Sequence, residues 1–168
     1  MKKHSRTNKI LYNFYLKNHF ISKSTLNYEL DKFEKRINEI DDGKNVFISG
    51  LARSGTTILL REIHDSDKFS SLQYKNMPFL FLPNSFQVKS SEKPSERSHN
   101  DGIKVNGDSP EEFDEYFWKV YLQNSYIKKD SLIKHEVEDK IIKKYIKYTK
   151  LICLSKKKPN YISKNNNN

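Results

Sequence analysis

Between residues 50 and 57 the sequence runs Gly-Leu-Ala-Arg-Ser-Gly-Thr-Thr, with Gly50 and Gly55 enclosing a single cation, Arg53, and paired hydroxyls following at Thr56 and Thr57. The apolar run Val46-Phe47-Ile48 precedes it, too short for a helix and β-branched at both ends, as in a buried strand. After it, Ile58, Leu59 and Ile63 recur at helical spacing. The order is strand, glycine loop, helix, and the glycines give the backbone conformations closed to other residues. Successive N–H groups in such a loop, together with the positive end of the following helix, focus charge on a small concave site. The chemistry on offer is the binding of an oxyanion.

The loop departs from the nucleotide-triphosphatase pattern GxxxxGK[ST]. Gly50, four residues and Gly55 are in place, but Thr56 stands where that pattern has its lysine. In those enzymes the lysine reaches the terminal phosphates and the hydroxyl residue holds magnesium, so a lysine-free loop is poorly suited to a triphosphate. A second constellation, Glu96, Arg97, His99 and Asp101, crowds two acids and an imidazole into a short irregular stretch bounded by Gly102. Of these, His99 is the natural proton acceptor near neutral pH, with Glu96 and Asp101 as competitors; alternatively, His99 and Asp101 only pin a tight loop. His64 falls at the end of the loop helix and reads as a cation favourable to a helix C-terminus. His4, His19 and His135 lie among lysines and read as surface residues, and Cys153, the single cysteine, as a small buried hydrophobe.

These groups need a scaffold. Leu26, Leu30, Phe33, Ile37 and Ile40 share one helical face, with Ser24 as the expected cap, so residues 1–44 read as a helical lead-in. Residues 45–168 then read as one α/β domain. A second strand is expected from Ser70 to Tyr74, parallel to the first. The apolar run from Met77 to Phe86 reads as a buried connector or the wall of an acceptor pocket. Ser109-Pro110-Glu111-Glu112 carries the signals of a helix start, a longer helix is expected from Ser131 to Leu154, and Tyr161-Ile162-Ser163 reads as a third strand.

The chain has 168 residues, a net charge of +10 and 35% hydrophobic residues, enough for one core. The excess charge is unevenly spread: residues 1–44 carry 10 basic and 6 acidic groups, 45–127 carry 9 and 11, and 128–168 carry 12 and 4. The loop-bearing part is slightly acidic, so the charge reads as a solvated lysine face and not as a nucleic-acid groove. No apolar run is long enough to span a bilayer, and one cysteine excludes an intrachain disulfide; a cytoplasmic location is the expectation.

Arg53-Ser54-Gly55-Thr56-Thr57, preceded by Ala52, resembles the 5′-phosphosulfate loop of sulfotransferases that use 3′-phosphoadenosine 5′-phosphosulfate (PAPS). Tyr74-Lys75-Asn76-Met77-Pro78-Phe79, Glu96-Arg97-Ser98-His99-Asn100-Asp101-Gly102 and Lys164-Asn165-Asn166 are similar to segments of a bacterial sulfotransferase-like branch. The resemblance implies a three-layer P-loop-like fold with a short parallel sheet flanked by helices. Gly50, Arg53, Ser54, Gly55, Thr56 and Thr57 would hold PAPS without a metal, Arg53 would act on the transferred group, and one of His99, Glu96 and Asp101 would serve as base. It also implies that the chain is the N-terminal portion of such an enzyme and transfers little sulfate alone, because the serine and arginine that hold the 3′-phosphate have no counterpart. The acceptor is left open among carbohydrate, small alcohol, amine and peptide. Two other readings compete: a P-loop kinase-like nucleotide-binding protein, and a non-catalytic basic remnant binding nucleic acid or a protein partner.

Overall fold

The structure is a computed structural model that describes residues 14, 15, 17–51, 53–86, 93–96, 102–123, 125, 126, 131 and 133–165. Helix α1 spans His19–Lys32, capped by the Asn18 side chain, which accepts from the N–H groups of Phe20 and Ile21. Its buried residues Ser22, Leu26, Glu29 and Leu30 recur at helical spacing. Phe33 interrupts the helix, and α2 covers Glu34–Asn38 with Ile37 buried. The lead-in is therefore helical, but α1 is capped at Asn18 and not at Ser24, because an asparagine with two amides to cap wins over a serine that sits mid-helix.

Strand β1 (Asn45–Ser49) leads through the glycine loop to α3 (Thr56–Asp65), and β2 (Phe69–Ser70) follows. A hairpin pairs β3 (Ser95–Glu96) with β4 (Lys104–Val105). Helices α4 (Glu115–Leu122) and α5 (Asp139–Lys156) lead to β5 (Asn160–Asn165). β5 is central in a parallel three-stranded sheet of order β1-β5-β2, so β2 does not pair with β1 directly. The β1–β5 register sets Val46 against Ile162, Ile48 against Lys164 and Ser49 against Asn165.

Side-chain alternation gives this sheet two different faces. Ile48 and Ile162 pack with Leu60 of α3, flanked by Val46, Ile63 and Phe69. On the other face, Tyr161 joins the larger core with Tyr145, Tyr148 and Ile152 of α5, Phe117 of α4 and Leu26 of α1. The chain is thus a mixed α/β fold whose short parallel sheet is flanked by helices. Burying tyrosines requires partners for their hydroxyls: Tyr148 donates to the Leu80 carbonyl at 2.9 Å and Tyr145 to Asp114 at 2.7 Å. Phe81, from the Met77–Phe86 run, is fully buried against the rings of Tyr148 and Phe117, so this part of the run is core. Phe86 at its end is exposed.

Three further element boundaries differ from the sequence expectation. The second strand is Phe69–Ser70, because Gln73 leaves the strand to cap a 3-10 turn over Tyr74–Asn76. Helix α4 starts after Asp114 and not at Pro110: the Glu111 N–H bonds to the Leu72 carbonyl at 3.4 Å, and Pro110 bridges to Gln73. Helix α5 begins at Asp139, eight residues beyond Ser131. At its far end Lys157 takes a left-handed φ of 57°, and the Lys158 N–H closes the helix on Cys153. Gly43 is required where β1 and β5 begin, since a Cβ there would lie 2.0 Å from the Pro159 carbonyl oxygen.

Candidate functional site

The loop between β1 and α3 leaves the sheet at the carboxyl end of its strands, the end where open parallel sheets bind ligands. Its conformation follows from its residues. Arg53 adopts φ 66°, Gly55 adopts φ 84°, and the Ser54 N–H closes a turn on the Leu51 carbonyl at 3.1 Å. Gly50 lets the loop fold back on itself, because a Cβ at that position would meet Ser54 Oγ at 2.6 Å and Thr56 Cγ2 at 3.0 Å. Gly55 then caps α3, and its carbonyl accepts from the Leu59 N–H at 3.0 Å. The positive end of the ten-residue helix α3 follows directly on this loop.

Leu51, Arg53, Ser54 and Gly55 are exposed, Leu51 at 82%, whereas Thr56 and Thr57 are buried at the start of α3. The groups that meet solvent are therefore the Arg53 guanidinium, the Ser54 side chain and the outer backbone.

Lys164, to which sequence reading gives no chemical role of its own, stands beside this loop. It lies opposite Ile48 in the ladder, two residues before Gly50, and its side chain is 3% exposed. Its ammonium is held by Glu111 at 2.8 Å and Glu112 at 3.4 Å. A lysine that continues the strand alternation from Ile162 at the carboxyl end of a central strand is the signal that could have found it.

Arg61, on α3 one turn beyond Thr57, donates through Nη1 to the Lys104 carbonyl at 3.0 Å and so ties the β3–β4 hairpin to the loop helix. Its Nε and Nη2 are buried and have no hydrogen-bond partner among the described residues. Of the expected bases, Glu96 lies on this hairpin, where one carboxylate oxygen accepts from the Gly102 N–H at 2.9 Å. It pins the turn, the role sequence reading offered for its neighbours. His99 and Asp101 lie outside the described residues.

Buried acid–hydroxyl contacts stiffen the end of β5. Asp114 is fully buried and accepts from Tyr145 Oη and from Ser163 Oγ, one residue before Lys164. Burial pushes its carboxyl above the ordinary value, and the two hydroxyl donors pull the other way. His64 Nδ1 lies 3.4 Å from Asp65 at the end of α3; burial lowers its pKa below 6.5, the Asp65 contact opposes this, and Lys158 lowers it further. No group of three or more potential metal-binding acids, histidines or cysteines occurs among the described residues, and no helix among them is long and apolar enough to cross a membrane. Comparison with family models, with curated proteins and with solved structures returns no match to the chain.

Proposed function

We propose that the loop from Gly50 to Thr57 binds the 5′-phosphosulfate of PAPS and that the chain is a P-loop-like unit of a sulfotransferase. One observation carries the proposal: an open, lysine-free strand–loop–helix turn with a left-handed Gly55 and an exposed Arg53 stands at the carboxyl end of a parallel sheet. A phosphosulfate is a compact anion that amides and one guanidinium can hold without a divalent ion.

When bound, PAPS supplies a sulfuryl group whose transfer to an acceptor hydroxyl or amine releases adenosine 3′,5′-bisphosphate. The outer loop amides, Ser54 and Arg53 hold the anion and stabilise the negative charge that grows on the bridging oxygen as the sulfur–oxygen bond breaks. Lys164 adds a cation beside β1 whose charge Glu111 and Glu112 moderate. The acceptor's proton passes to a base on the β3–β4 segment. Glu96 already spends one oxygen on Gly102, which favours His99 or Asp101 for that task.

Isothermal calorimetry of the chain with adenosine 3′,5′-bisphosphate and with magnesium ATP tests this. Binding of the bisphosphate alone, weakened at least tenfold by Arg53→Ala, is expected. Tighter binding of magnesium ATP would replace the proposal with a kinase-like one. Salt-sensitive DNA binding untouched by Arg53→Ala would favour a basic interaction protein.

A further inference from the structure

Away from the loop, a groove of about 410 Å³ runs between three helices, lined by Lys23 of α1, Tyr121 of α4, and Glu138, Lys140, Ile141 and Lys144 at the start of α5. Two ammonium groups converge on one ring there, Lys23 at 5.3 Å and Lys144 at 5.6 Å from the Tyr121 centroid. Glu138 is committed to Lys140 at 2.6 Å, leaving Lys23 and Lys144 outside any ion pair among the described residues. Lys144 donates to Asn27 at 2.7 Å; burial lowers its pKa, Asp31 opposes this, and Lys147 and Lys23 add to it. Tyr121 Oη is buried with no hydrogen-bond partner among the described residues, and burial pushes its pKa to about 12, so at neutral pH it remains an unused donor.

Like charges gathered over one ring repel each other unless something of opposite sign joins them. We propose that this groove is a binding site for an oxyanion, a sulfate, phosphate or carboxylate group, held by Lys23 and Lys144 over the Tyr121 ring. Two ammonium groups brought over one ring from α1 and α5 match the several acceptor oxygens of such a group. The aromatic and aliphatic walls of Tyr121 and Ile141 suit a ring that carries it. This site is independent of the Gly50–Thr57 loop and stands whether or not that loop holds PAPS.

The test is an amide NMR titration of the full chain with sodium sulfate, with sodium chloride at matched ionic strength, and with glucuronate against glucose. Saturable shifts at Lys23, Tyr121, Ile141 and Lys144 are expected for sulfate and glucuronate only. Tighter binding of glucuronate would mean an anion carried on a sugar, and equal or tighter binding of sulfate a free ion. Lys23→Gln with Lys144→Gln should weaken binding at least tenfold, and Tyr121→Phe, which keeps the ring and removes only a buried hydroxyl, should leave it unchanged. Lys68→Gln with Lys157→Gln, an equal charge change elsewhere, and Arg53→Ala should leave it unchanged. Shifts that chloride reproduces, that fail to saturate, or that the distant lysine pair weakens equally would overturn the proposal.

Discussion

Replacing Tyr145 with phenylalanine removes one oxygen from the buried polar cluster around Asp114. The ring keeps its neighbours, Trp118 at 4.5 Å, Phe117 at 5.0 Å and Phe47 at 6.2 Å, so no cavity larger than a hydroxyl opens. What is lost is the 2.7 Å hydrogen bond to Asp114, whose other oxygen keeps Ser163. The cost depends on the charge of Asp114: about 1 kcal/mol for a neutral carboxyl and about 1.5–3 kcal/mol for a carboxylate. Burial sets the folded pKa of Asp114 above its usual 3.8. A raised folded pKa means that this group favours the folded state most below its unfolded value, a contribution lost as pH rises through the folded one. Tyr145→Phe raises the folded value further, so its penalty grows with pH. Urea denaturation at pH 5 and pH 8 should show the variant less stable at both and more so at pH 8. A penalty larger at pH 5 than at pH 8 would refute the view that these hydroxyls stabilise an ionised Asp114.

Gly43→Ala should cost about 3 kcal/mol in urea denaturation, because its Cβ would meet the rigid Pro159 backbone at 2.0 Å and part the start of β1 from β5. Gly55→Ala has no atom within 4 Å of the new Cβ, so thermal denaturation should report only the cost of a left-handed φ, about 1–2 kcal/mol. Cys153 is 4% exposed and burial pushes its thiol to about 11; iodoacetamide at pH 8 should label it only on unfolding, and labelling of the native protein at a free-thiol rate would contradict its placement.

The parts of the fold legible in the sequence were those with a strong local signal. Val46 to Ile48 and Tyr161 to Ser163 mark strands because apolar and β-branched residues bounded by glycine or proline suit nothing else, and Gly55 marks the start of α3 because it alone tolerates that φ. What tertiary contact decides was not legible. Pro110 and Glu111 carry a helix-start signature, but their backbone is spent on the segment around Leu72 and Gln73, so α4 starts only at Glu115. The pairing of β5 between β1 and β2, with Lys164 thereby set beside the loop, requires partners more than ninety residues apart. Arg61 looked like any polar residue on the outer face of a helix. Its significance comes from the Lys104 carbonyl, and no local pattern foretells that contact. The groove at Tyr121 likewise joins three helices through lysines that the sequence offers only as a solvated face.

Amide chemical-shift mapping during titration with adenosine 3′,5′-bisphosphate goes most directly to the loop. The largest saturable shifts are predicted at Arg53, Ser54, Gly55 and Thr56, accompanied by Lys164, and they should vanish in Arg53→Ala. Saturable binding that leaves those amides unmoved and shifts residues elsewhere would contradict the assignment of this loop as an anion site.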